Sequence, residues 1–115
     1  RFFIYTEEID LSRRLVDGGW EIFWVPQANI VHYGAASTAQ VSARMFLELY
    51  RSKVQYFRKH GGLTGALAYK GVLLAAALPR IVLTSITLAL VPSRREACRG
   101  TLRNYSSLLV QLPAL

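Results

Sequence analysis

The sequence predicts the edge of an α/β domain followed by an α-helical, membrane-associating tail. Three observations carry that expectation. Short aromatic and β-branched runs alternate with one helical stripe before residue 34, only helical periodicity follows, and residues 63–91 form a nearly continuous apolar stretch. The chain has 115 residues, 52% of them hydrophobic and 18% charged, which suits one small domain or part of a larger one and argues against long disorder. Its first residue is Arg1, and an apolar run follows at once, so the chain reads as part of something longer. The single Cys98 excludes an internal disulfide framework and a cysteine-only zinc site.

The elements follow in order along the chain. Phe2 to Tyr5 reads as the end of a buried strand. Thr6 then has the chemistry of a helix N-cap, with Glu7 and Glu8 as the acids that favour a first turn. Ile9, Leu11, Leu15 and Val16 make an apolar stripe that Gly18-Gly19 stops. Glu21 to Val25 is rich in β-formers and closes at Pro26, and Asn29 to Tyr33 reads as a further short strand. Small residues from Gly34 to Ser37 make a loop. From about Ala39 to His60, Phe46, Leu49, Tyr50, Val54 and Phe57 recur at helical steps, and Gly61-Gly62 ends the run. After the apolar stretch, Pro92-Ser93 leads into a last amphipathic helix toward Leu112.

Charge divides the chain. Residues 1–43 hold three cations against five carboxylates, whereas residues 44–115 hold eleven cations against two. Basic excess mixed with apolar runs favours an anionic membrane surface over nucleic acid, which more often meets polar, flexible basic segments. A basic nucleic-acid-binding module would also leave the acidic N-terminal part without a role.

That acidic part contains two constellations. In Thr6-Glu7-Glu8-Ile9-Asp10, three carboxylates sit where a strand gives way to a helix, the place where open α/β sheets bind ligands. Mutual repulsion among such acids can raise a pKa and make one of them a base near neutral pH. An acidic first turn that merely stabilises a helix explains the same residues. In His32-Tyr33-Gly34-Ala35-Ala36-Ser37, a histidine at a strand end followed by small residues can present an imidazole nitrogen to a metal or phosphate. A satisfied structural histidine is the plainer account, since no second ligand lies nearby at metal-binding spacing.

Read together, the two constellations resemble the C-terminal half of the catalytic domain of family 2 glycosyltransferases, which have the GT-A fold. Bacterial rhamnosyltransferase-like members show a pattern like F-F-x-Y-x-E-D-x-D-L-x-x-R, then G-W, then P-x-A-x-V-x-H, small residues and Ser. Phe2, Phe3, Tyr5, Glu7, Asp10, Leu11, Arg14, Gly19, Trp20, Pro26, Ala28, His32 and Ser37 match it in order and spacing, with Val31 one position after the pattern's Val. Ser52, Tyr56, Phe57, Lys59, His60 and Gly62 match the helix that follows. The resemblance implies that residues 1–62 are the C-terminal part of a GT-A domain and residues 63–115 an apolar, basic helical tail.

It also implies roles. Glu8, standing where the pattern has Asp, is the general base that deprotonates an acceptor hydroxyl. Glu7 and Asp10 are supporting acids. His32 belongs to the site of a divalent metal, Mg²⁺ or Mn²⁺, whose other ligands come from upstream chain. Arg14 anchors its helix through a carboxylate. The implied partners are a nucleotide-sugar donor, a glycan or lipid-linked acceptor of the cell surface, and the membrane at the cytoplasmic face of a bacterial inner membrane. No Asp-x-Asp motif or nucleotide-binding stretch occurs in the chain, so the chain alone is expected to be inactive. A non-catalytic, membrane-associated adaptor is the alternative.

The tail supports a membrane location. Gly71 to Val91 would rise about 30 Å as a helix, enough to cross a bilayer core. Arg80 near its centre costs about 2.5–3.5 kcal/mol to insert, and about 0.3–0.6 kcal/mol from each Leu, Ile or Val opposes that cost. Two interfacial helices broken at Pro79 are the other arrangement the pattern permits. Arg44, Arg51 and Arg58 form a stripe before the apolar stretch, and Arg94, Arg95, Arg99 and Arg103 follow it.

Overall fold

A computed structural model of the protein describes residues 4–31 and 42–115. Helix α1 spans Glu7–Asp17 and the long helix α2 spans Ser42–Leu90. A 3₁₀ turn, Pro92–Arg94, leads into α3, Arg95–Gln111, and a second 3₁₀ turn, Leu112–Ala114, closes the chain. No strand occurs among the described residues.

The α/β expectation is therefore corrected: the described chain is mainly helical. A strand needs a partner edge to take up its N–H and C=O groups. Residues 21–25 have none among the described residues. Beyond them the backbone makes one turn bond, from Ala28 N–H to the Val25 carbonyl at 3.1 Å. Their side chains stand in solvent, Trp24 at 88% exposure. High β-propensity without a neighbouring strand yields irregular chain. Residues 29–31 are likewise irregular. The remainder of that expected strand, with His32 and Tyr33, lies outside the described residues, as do Phe2 and Phe3 of the first.

Helix α1 forms where the stripe predicts, but its start differs. Thr6 occupies the N-cap position with φ 67° and makes no side-chain capping bond. Tyr5 also has φ 63°, so two consecutive non-glycine residues are left-handed. That is a strained entry, and the packing around it must hold it. The exit is regular. Trp20 N–H bonds to the Leu15 carbonyl at 2.9 Å and Gly19 N–H to the Val16 carbonyl at 3.0 Å, a Schellman closure with Gly19 at φ 84°.

Helix α2 runs through Pro79 without leaving helical geometry; its single non-helical residue is Gly62, at φ 64° and ψ −159°. The break thus falls at Gly62, and the arrangement broken at Pro79 does not occur. A conformation with that φ and ψ is open essentially to glycine alone. The bend is sharp. Phe57 and Tyr69 would stand about 18 Å apart on a straight helix, yet their rings stack with centroids 4.6 Å apart.

The two arms of α2 therefore fold toward each other, and the small core lies between them and the chain end. Val54 from the first arm packs with Ala66 and Leu73 from the second and with Leu112. Above this core, the Phe46 ring meets Tyr50 and Tyr105 edge-on, which fixes α3 against the first arm. Across the bend, a Cβ on Gly65 would come within 2.8 Å of the Phe57 carbonyl oxygen.

The bend yields a prediction. Gly62→Ala should lower the stability of the chain by about 1–3 kcal/mol by placing a Cβ in a glycine-only conformation. Urea denaturation followed by far-UV circular dichroism measures it, and an unchanged midpoint would show that the arms do not fold back at this residue.

Candidate functional site

The described part of the candidate site is built on one face of the first arm of α2. Ser52, Tyr56, Lys59 and His60 follow one another at intervals of four, three and one, which puts them on a single helical face. The N-terminal segment docks on that face. Ser52, buried, donates its hydroxyl to the Ile4 carbonyl at 2.6 Å. One to two turns further along, Asp10 of α1 enters the same stripe.

Asp10 is the most heavily engaged side chain in the described protein. Lys59 Nζ donates to both of its carboxylate oxygens at 2.7 Å, and His60 Nε2 lies 2.7 Å from Oδ1. Arg14 Nε, one turn along α1, donates to Oδ2 at 3.1 Å. The Asp10 side chain is 6% exposed, against 45% for Lys59, 56% for Arg14 and 14% for His60. These partners thus reach water with part of their surface while the carboxylate does not. The bond from Lys59 holds the Asp10 pKa down at about 2; His60 and Arg14 act in the same direction, and burial opposes them. Arg14 anchors its helix through a carboxylate, as the sequence implies.

A further ion pair lies along α1. Arg13 pairs with Asp17 at 3.2 Å, and a hydrogen bond with Tyr56, followed by the Asp17 pairing, raises the Arg13 guanidinium above its ordinary value. Helix α1 is fastened to α2 through Asp10, and Glu7 and Glu8 project from its first turn into solvent. Neither has an ion-pair partner among the described residues.

The structure thus separates the three acids that the sequence groups together. Glu7 and Glu8 are exposed and accessible, whereas Asp10 is buried, paired with Lys59 and Arg14 and hydrogen-bonded to His60. His32 lies outside the described residues. No group of three His, Cys, Asp or Glu side chains able to hold a metal occurs among the described residues. Asp10, the one buried acid there, already spends both oxygens on cations, so the described residues do not fit the implied divalent metal.

Lys59 and His60 received no site role from sequence reasoning, although the polar stripe that contains them is legible in their spacing. What the spacing lacks is the identity of the acid they meet, 49 and 50 residues earlier.

Comparison with known proteins adds one relationship. Over 63 residues, 54% of its length, the chain is 33% identical to a curated glycosyltransferase. That protein, found in two strains of Mycobacterium tuberculosis, is N-acetylglucosaminyl-diphospho-decaprenol L-rhamnosyltransferase. The chain spans 20% of the length of these relatives. No protein-family model matches the chain, and no solved structure does.

Asp10→Asn should destabilise the docked state by about 1.5–3 kcal/mol, the range for hydrogen bonds to charged groups, since the amide keeps shape but loses charge. The sign with pH follows from the depressed pKa. Asp10 contributes its full stabilisation above the ordinary carboxyl value of 3.8 and loses it as pH falls through about 2. Urea midpoints of both proteins across that window check this: the gap should be constant at neutral pH and shrink in acid. A gap independent of pH would remove the carboxylate from this role.

Proposed function

We propose that the chain is the acceptor-side portion of an inverting glycosyltransferase of the family 2 kind. In this reading it transfers a sugar from a nucleotide-sugar donor to a hydroxyl of a glycan or lipid-linked acceptor at the cytoplasmic face of the membrane. The relationship to a rhamnosyltransferase supports transferase chemistry. The observation that carries the reading onto residues is the exposed Glu7-Glu8 pair on the first turn of a helix clamped to its neighbour through Asp10. Residues 1–62 supply this acid-bearing surface, and residues 63–115 face the membrane. Within Ala43–Leu90, an 18-residue window is apolar enough to cross a bilayer by length and composition, and little of that window is buried within the protein.

The chemistry assigns Glu8 the base. An acceptor hydroxyl is a poor nucleophile near neutral pH, so a carboxylate within hydrogen-bond reach takes its proton as the oxygen attacks the anomeric carbon. The bond from that carbon to the diphosphate oxygen breaks, and the electron pair leaves with the nucleoside diphosphate. Attack on the face opposite the leaving group inverts the configuration. Glu7 orients the acceptor, and Asp10 positions both glutamates by fixing the helix.

A clamped helix suits this work because a base must hold its place while the acceptor arrives. The strained Tyr5 and Thr6 backbone directly precedes the acid pair, and strain of this kind persists where the surroundings over-determine it.

In the full-length protein, Glu8→Gln should lower the transfer rate by about 10²–10⁴-fold, the usual contribution of a positioned base. Binding of the nucleotide-sugar should be retained. Turnover assays with radiolabelled donor, alongside calorimetric donor binding, separate the two. Undiminished turnover would remove Glu8 from the reaction and favour the adaptor reading, in which the same surface binds a partner without catalysis.

A further inference from the structure

Beyond the Asp10 site, α2 and α3 flank an open cavity of about 560 Å³, a size that suits a small ligand. Its walls are two facing helical stripes. From α2 come Arg80, Thr84 and Thr87, and from the start of α3 and the turn before it come Arg94, Cys98 and Thr101. The lining contains two guanidinium groups and no acid.

The charges there are uncompensated. Among the described residues, neither Arg80 nor Arg94 has a carboxylate partner. Arg80 lies over the Tyr105 ring at 5.6 Å, which holds the guanidinium in place without neutralising it. Between Glu48 and Glu96 the sequence has no acid at all, so this absence extends along the whole second arm. Thr87 and Thr101 spend their hydroxyl protons on the Leu83 and Ala97 carbonyls at 2.8 and 3.1 Å. The Thr84 hydroxyl makes no such bond among the described residues and remains a donor.

Two arginines and a free hydroxyl around one cavity match a phosphoryl group, which accepts paired N–H donors from guanidinium. The surroundings indicate what carries it. Leu83, which lines the cavity, and Leu90, two turns further on the same side of the helix, are both exposed, so the cationic cavity opens beside apolar surface. A free anion gains nothing from that surface, whereas a lipid places its phosphate beside its own hydrocarbon.

We propose that the α2–α3 cavity is a binding site for the phosphoryl headgroup of an anionic lipid, held by Arg80 and Arg94 with Thr84 as a further donor. The site rests on the membrane-facing part of the reading above and not on the transfer reaction, so vesicle binding and turnover fail separately.

Co-sedimentation of the full chain with vesicles tests it, comparing phosphatidylcholine alone with phosphatidylcholine containing phosphatidic acid. Binding should require phosphatidic acid and saturate. Arg80→Gln and Arg94→Gln should each weaken it about fivefold or more, the scale of one arginine at an anionic surface. Arg95→Gln with Arg103→Gln removes equal charge outside the cavity and should have a smaller effect than Arg80→Gln with Arg94→Gln. Because Arg80 also touches Tyr105, Arg94→Gln alone and a circular dichroism comparison keep the result independent of folding. Inorganic diphosphate supplies the second arm: weak competition assigns the cavity to lipid phosphate, while equally tight binding in solution would overturn the lipid assignment. Equal losses from both double variants, or binding to phosphatidylcholine alone, would overturn the site.

Discussion

The arrangement depends on one buried carboxylate. Asp10 has left water almost completely, and a charge so placed is tolerated only with partners in good geometry. Lys59, His60 and Arg14 provide them, and in doing so they bring a helix near the start of the chain onto one that begins more than 30 residues later. The exposure pattern makes the dependence one-sided. Lys59 and Arg14 can return to solvent if the contact opens, but Asp10 cannot remain buried without them. The clamp therefore sets where the first turn of α1 lies, and with it where Glu7 and Glu8 point.

A second constraint acts on the other half of the molecule. With φ 64° at Gly62 the chain reverses between two helical arms, and the reversal brings Val54, Ala66, Leu73 and Leu112 into one cluster. Lys59 and His60 lie directly before this bend, so the clamp and the core share the same turn of helix. Disturbance of the bend reaches the Asp10 clamp through two residues of backbone. The second arm in turn supplies Arg80 to the cationic cavity, so Lys59 and His60 of the clamp and the cavity lie along the same helix.

Helices were legible where the sequence carries its own period. The stripe of Ile9, Leu11, Leu15 and Val16 and the closing glycines mark α1 closely, and Pro92 marks the start of the last helical segment. The expected strands were not realised within 21–31, because β-propensity describes how a residue fits a sheet and not whether an edge is there to receive it. Gly61-Gly62 reads as a stop, yet the chain resumes helical geometry at once, since a left-handed glycine can redirect a helix as well as end it. Pro79 reads as a break, yet helical geometry continues through it. At the candidate site, the acids stood out as a cluster. Their division into a buried anchor and an exposed pair depends on Lys59 and His60, partners that local spacing does not identify.

A double-mutant cycle on Asp10→Asn and Lys59→Met, read as unfolding free energy of the full chain at neutral pH, tests the clamp most directly. A real contact of this kind predicts a coupling of about 1 kcal/mol or more, because the two residues share one buried bond. Effects that add within about 0.3–0.5 kcal/mol would mean the two do not meet, and the positioning of Glu7 and Glu8 by this helix would have no physical basis.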